Sequence, residues 1–258
     1  MNRYFIELSY NGSAFNGWQI QPNAPSVQES ITQVLSTILR QEIKIYGAGR
    51  TDTGVHAKHF YAHFEVDKLI DTQKIKHTLN KMLPKQIVIH KIFIVSPDMH
   101  SRFSALSRTY KYYITKNKDP FNYMYAYRVF PFPDIKRMNE ACNYLYEYTD
   151  FSSFSKSRTA TKTNNCNLMF AQWQEDGDQL VFTIKANRFL RNMVRAIVGT
   201  LIEIGQGKLE PEDIKEIIEA KDRGAAGMSV VGYALFLTNI EYPEGFDEYY
   251  INKDESPK

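Results

Sequence analysis

From Arg3 to Tyr10 apolar and polar residues alternate, setting Tyr4, Ile6, Leu8 and Tyr10 against Phe5, Glu7 and Ser9; a period of two predicts a strand. The period then lengthens. Val27, Ile31, Val34, Leu35, Ile38 and Leu39 make one stripe at helical spacing, opened by the S-x-x-E capping box of Ser26 and Glu29. Short strands are predicted at Ile43 to Tyr46 and at Phe60 to Val66, followed by a helix that Asp71 caps, carrying Ile75, Leu79 and Met82 and stopping at Pro84. The apolar run "IVIHKIFIV" completes the order β-α-β-β-α-β.

The same order returns. A strand over Ser107 to Lys116, a helix over Asp134 to Tyr146, strands over Cys166 to Gln174 and Leu180 to Lys185 about a turn at Asp176-Gly177, a helix over Phe189 to Ile204 stopped by Gly205, and a strand over Ala234 to Tyr242 are predicted. An extra helix after Pro211, with Ile214, Ile217 and Ile218, interrupts this second set. Two split β-α-β-β-α-β units, ferredoxin-like in order, imply an α+β fold: a pseudo-repeat with antiparallel sheet, helices on one face and a cleft between the halves. The halves are expected at residues 1–104 and 105–242, with an acidic tail at 243–258. The aromatic, proline-punctuated stretch from Tyr123 to Pro133 reads as a connection pinned to the surface.

Composition narrows the setting. At 258 residues and 43% apolar content the chain can bury a substantial core. It shows no apolar run of the roughly 20 residues that span a bilayer and no basic-then-apolar leader, so a cytosolic protein without membrane attachment is expected. Cys142 and Cys166 have no CxxC partner and read as reduced packing residues. The net charge is +3, but the tail from Pro243 holds five acids against two lysines, a balance of −3 that leaves +6 on the rest. Arg102, Arg108, Lys111, Lys116 and Lys118 lie together without an intervening acid, which permits a polyanionic partner as well as a solvated face.

Candidate chemistry centres on "GAGRTDTGVHA", Gly47 to Ala57. Its glycines allow a tight bend and a close backbone approach, with Asp52 as its most reactive passenger. Local chemistry leaves two readings open: a carboxylate that caps its own turn, or one presented to a ligand. Tyr110 shares a strand face with Tyr112 and Ile114, and a tyrosine on a basic strand can be a core residue or a stacking platform for a nucleobase. In "RFLRNMVRAIVGTLIEI" Arg188, Arg191 and Arg195 recur at helical spacing, so the predicted helix carries a cationic edge near its N-terminus, where an acidic or phosphate partner is expected to offset the helix dipole.

At these residues the chain resembles the tRNA pseudouridine synthase A family. "GRTDTGVHA" matches the family's signature loop, and "YNGSAFNGWQIQPN", "RFSALSRTYKYYI", "DFSSF", "ANRFLRNMVRAIVGTLIEIG" and "ALFLTNIEYP" match in order over nearly the whole chain. The resemblance implies an isomerase that converts uridine to pseudouridine at positions 38, 39 and 40 of the tRNA anticodon stem-loop, without metal or organic cofactor, as a homodimer whose subunits jointly form the tRNA cleft. It further implies that Asp52 is the catalytic aspartate, Tyr110 stacks on the target base, Arg195 pairs with Asp52, and Arg50 helps extrude the nucleotide. Leu235 falls at a pocket-wall position. Val231 and Ala234 depart from the proline and glycine usual before it; Thr53 and Asn11 replace a common alanine and a common aspartate.

Moving the glycosidic bond from N1 to C5 adds and removes no atoms, so a nucleophile and a trap for the detached base suffice. Asp52 can attack uracil C6 or ribose C1′, or remove a ribose proton; sequence leaves all three open. A uridine inside a stem must be flipped out, at about a few kcal/mol. Lys111, Arg188 and Arg191 are expected to contact the tRNA backbone. One rival is a metal-dependent phosphodiesterase using Asp52, His56, His59 and His63, although the sequence between His59 and His63 lacks the glutamate of an HExxH helix. Another is a non-catalytic RNA-binding protein with the same cleft.

Overall fold

In the computed structural model, which describes residues 1–156 and 163–249, the N-terminal alternation forms β1 (Asn2–Tyr10). It continues through α1 (Val27–Leu39), β2 (Tyr46–Gly47), β3 (His56–Val66), α2 (Thr72–Met82) and β4 (Ile87–Val95). The second series is β5 (Ser107–Thr115), β6 (Tyr127–Arg128), α3 (Ile135–Tyr144), β7 (Leu168–Asp176), β8 (Gln179–Ala186), α4 (Met193–Gly205), α5 (Asp213–Glu219) and β9 (Leu235–Glu241). Ser26 and Asp71 cap α1 and α2 through their side chains, accepting from the amides of Glu29 and Lys74. Asp254 and Glu255 of the acidic tail lie outside the described residues.

The described strands join one sheet in the order β4-β1-β3-β9-β5-β8-β7, with β2 on β3 and β6 on β5. With the two-residue β6 left out, each series therefore places its fourth strand beside its first, and its first beside its third. The join is a short parallel pairing, His56 with Phe236 and Ala57 with Leu237; β5 then pairs antiparallel with β9. Two buried clusters flank this seam. One holds β1, β3, β4, α1 and α2 together with Leu237, Ile240 and Tyr242 from the chain's far end; the other holds the second series together with Val55 from the first. Each half thus lends side chains to its neighbour's core.

Helices cover one face of the sheet. On the other face of the first half, Phe5, Tyr61 and Phe93 are closed over by the rings of Tyr242 and Phe246, and Lys91 pairs with Asp247 at 3.0 Å. The segment after Tyr242 thus begins as part of the packed structure.

Both outermost strands are sealed by an asparagine. Asn80 of α2 donates to the Ile89 carbonyl and accepts from its amide, both at 2.8 Å, so its side chain acts as a one-residue strand on β4. Asn139 of α3 does the same to Trp173 of β7, at 3.0 and 2.8 Å, and the Tyr146 hydroxyl accepts from Ala171 N–H at 2.7 Å. The edge groups of Ile89, Ala171 and Trp173, which could template another strand, are thereby occupied.

Several elements differ from the alternation: β3 starts at His56, four residues ahead of Phe60, where it meets β9, and β6 pairs within the stretch expected as a connection. Only Tyr46–Gly47 pairs as β2, because Ile43 and Ile45 turn into the core where their backbone makes no ladder. Helix α4 begins at Met193 and not at Phe189, since Asn192 adopts a left-handed φ of 70° that an α-helix cannot contain. Arg188 and Arg191 consequently lie in the link before the helix, and the predicted cationic helix edge reduces to Arg195.

Candidate active site

The glycine loop precedes β3 and sits on the seam. Its glycines have different tasks. At Gly47 an added Cβ would fall 2.4 Å from the Trp18 indole nitrogen, so the position is a packing contact. Gly54 adopts φ +77°, a conformation costly for any residue with a Cβ. Backbone bonds fix the rest: Trp18 N–H donates to Thr51 O at 3.3 Å, Gly54 N–H to Phe15 O at 3.3 Å, and Ala48 N–H to Tyr61 O at 2.8 Å. Tyr10 and Thr51 hydroxyls meet at 2.9 Å.

Held this way, Asp52 keeps a quarter of its side chain exposed and accepts from Arg195 Nη1 at 3.2 Å. Among the described residues its carboxylate bonds no amide of its own turn, so the turn-capping reading does not hold. Arg195 is the third residue of α4, where a cation opposes the helix dipole, and Asp52 is the acidic partner that this position calls for. Arg195 Nε also donates to Val230 O at 2.6 Å, and Val230 N–H donates to Arg195 O at 3.2 Å. The 224–234 segment is thus strapped between helix and loop.

Tyr110 lies half-buried where the two cores meet and packs on both. Phe189 stands edge-on to its ring at 5.2 Å. Burial pushes the Tyr110 phenol up, against the pull of the Arg108 charge, and the nearby Asp52 carboxylate pushes it further. The group is therefore a neutral ring with a donor hydroxyl at ordinary pH.

The remaining candidates are spread around this centre. Arg50 is exposed on the loop two residues before Asp52. Lys111 projects from the sheet face opposite Tyr110, as the pleat requires. Arg188 is half-buried and Arg191 exposed. Leu235 is buried at the start of β9, directly opposite Tyr112. Val231 and Ala234 serve the wall through their carbonyls, which accept from Tyr112 Oη and Tyr113 N–H, both at 3.1 Å. Any residue supplies a carbonyl, so these departures leave the wall's bonding intact.

The histidines proposed as metal ligands are engaged elsewhere. His56 Nδ1 accepts from Gly12 N–H at 3.0 Å and Nε2 lies 2.9 Å from Tyr233 O, so the ring is a neutral cross-link between the halves. His59 lies between Asn239 and Glu7, and His63 against Ser101. Among the described residues no three His, Cys, Asp or Glu side chains gather as a metal site. The sequence reading missed the His56 bridge and the four-carbonyl grip of Arg108 (Ala48, Arg102, Ala105 and Asn187). The one available signal was a charged residue two positions before Tyr110 on the same strand face.

Known proteins match this sequence over most of its length. Residues 8–104 and 141–243 match the family described as tRNA pseudouridine synthase. The tRNA pseudouridine synthase A of Parabacteroides distasonis is 54% identical over 245 residues, covering 95% of this chain and 97% of that protein. Its counterpart in Bacteroides thetaiotaomicron is 53% identical over 247 residues, covering 95% and 92%. The Bacillus subtilis enzyme is 36% identical over 239 residues, covering 91% and 97%. With the family match and these relatives covering most of its length, the chain belongs to the tRNA pseudouridine synthase family.

Proposed function

We propose that this protein isomerises uridine to pseudouridine at positions 38, 39 and 40 of the tRNA anticodon stem-loop, with Asp52 as nucleophile. The observation that carries the reading is the 3.2 Å contact between Asp52 and Arg195, residues 143 apart in sequence, beside Tyr110. A flipped uridine stacks on Tyr110 while Asp52 attacks. The N1–C1′ bond breaks, the base turns, C5–C1′ forms, the bond from Asp52 to the nucleotide breaks again to return the free carboxylate, and C5 loses its proton while N1 gains one, so atoms and electrons balance without a redox partner. Arg195 orients the carboxylate, and Arg50 fills the gap left in the stem. Lys111, Arg188 and Arg191 hold phosphates, and Leu235 backs the pocket.

In this reading the halves are residues 1–104 and 105–242, followed by the acidic tail, and two copies form the tRNA cleft. The protein works in the cytoplasm, where its substrate is found. No helix among the described residues is long and apolar enough to cross a membrane.

The test uses tRNA carrying tritium at uridine C5. Wild-type protein releases tritium, and Asp52→Ala abolishes release while tRNA binding stays within roughly threefold, as expected for loss of a group that acts in the transition state. Binding without release by the wild type would make the protein an RNA binder. Loss of release on adding EDTA would reinstate a metal enzyme.

A further inference from the structure

Arg108 lies two residues before Tyr110 on β5 and projects from the same face into the sheet's covered side. Its guanidinium is held by carbonyls: Nη1 donates to Ala105 O at 3.0 Å and to Asn187 O at 2.8 Å, while Nη2 donates to Ala48 O at 3.0 Å and to Arg102 O at 2.6 Å. Among the described residues no carboxylate pairs with it. Those oxygens belong to three separate stretches: the connection between the halves, the link between β8 and α4, and the loop that presents Asp52.

A half-buried cation with four main-chain acceptors has little freedom, and bonds from a charged donor are the stronger kind. Ala48 is four residues from Asp52. Asn187 is two residues from Phe189, whose ring meets Tyr110 edge-on. Lysine could not replace this grip, because a single ammonium lacks the planar fork that reaches several acceptors at once.

We propose that Arg108 is a positioning residue that sets Asp52 against Tyr110, tying the loop of the first half to the strand of the second. The inference rests on the assignment of Asp52 and Tyr110 made above. Arg108 touches no reacting atom; it acts through the loop.

The test compares the wild type with Arg108→Lys, Arg108→Ala and Arg137→Lys. Arg137 likewise grips two carbonyls, of Ile204 and Leu209, but at the far end of α4, so its variant controls for general loss of stability. Hydrogen exchange is measured by peptide, and kcat and KM on tRNA for each protein. In Arg108→Lys, exchange rises over residues 47–55 but not in β1 or β4. Its kcat falls about 100-fold with KM within about threefold, the pattern of a displaced reactive group. Millimolar methylguanidinium restores kcat in Arg108→Ala by about tenfold, and Arg137→Lys stays near wild type.

An Arg108→Lys variant with near-normal kcat, or with faster exchange spread over the whole chain and unchanged activity per folded molecule, overturns the proposal. If Arg108→Ala does not fold, Arg108→Lys carries the test. Local loosening at 47–55 in a protein that never turns over tRNA would sink the reaction assignment and leave the clasp standing. An active wild type with an unaffected Arg108→Lys would do the reverse.

Discussion

Arg195 Nε donates to the Val230 carbonyl at 2.6 Å, so the Nη1 that reaches Asp52 extends from an anchored base. An ion pair with a quarter-exposed carboxylate contributes little stability by itself. Its value is directional: one guanidinium fixes both the segment ahead of β9 and the group on the glycine loop.

Arg195→Lys is therefore expected to keep the charge and lose the geometry. Lysine can hold Val230 or Asp52 but not both, and kcat should fall about 100-fold with tRNA affinity nearly unchanged. Single-turnover kinetics alongside filter binding check this; equal losses in both would mean that Arg195 serves binding.

The two unlike glycines of the loop should separate stability from binding. Gly54→Ala forces a Cβ into φ +77° and should cost about 1–2 kcal/mol, read by urea unfolding. Gly49 has nothing within 4 Å of where a Cβ would stand, so Gly49→Ala should melt like the wild type. If that space admits the tRNA backbone, the variant binds tRNA several-fold more weakly, as titration will report.

Stability should fall on mild acidification. His56, His63 and His100 are all held below the ordinary histidine value of 6.5, chiefly by burial, His63 at about 4. Between about 4 and 6.5 the unfolded chain binds more protons than the folded one, so stability rises with pH across that window. It is fully present above about 6.5 and is lost as pH drops towards about 4. Melting from pH 7.5 to 5 should show the decline. His63→Asn, whose Oδ1 can still accept from Ser101 N–H, should flatten it.

Removing an edge seal should cost both stability and solubility. Asn139→Ala strips two hydrogen bonds from Trp173 and is expected to destabilise the fold by about 1–3 kcal/mol. The freed strand edge should raise light scattering on gentle heating. A variant that unfolds earlier but scatters like wild type would show the asparagine to be only a packing contact.

Much of this fold is written in local pattern. The alternation of "RYFIELSY", the stripes of α1 and α2 with their Ser26 and Asp71 caps, and the glycine turn between β7 and β8 appear where periodicity places them. The start of α4 does not, because the apolar stripe runs on through Leu190 while Asn192 breaks the helix by a backbone angle that spacing does not encode. The site is legible only in part. Asp52 stands out as a carboxylate among glycines, but its pairing with Arg195 spans 143 residues and was implied by resemblance, not by pattern. The Arg108 grip and the His56 bridge were missed for the same reason: their partners are carbonyls and amides, which every residue has.

The seam of β3 with β9 also orders events in time. Asp52 is made 143 residues before Arg195 and still further ahead of the strap from Val230 to Tyr233, and the first core is unfinished until Leu237, Ile240 and Tyr242 arrive. A nascent chain halted ahead of β9 thus carries Asp52 with neither the first core nor the wall behind the loop complete, and both close only once β9 has been made.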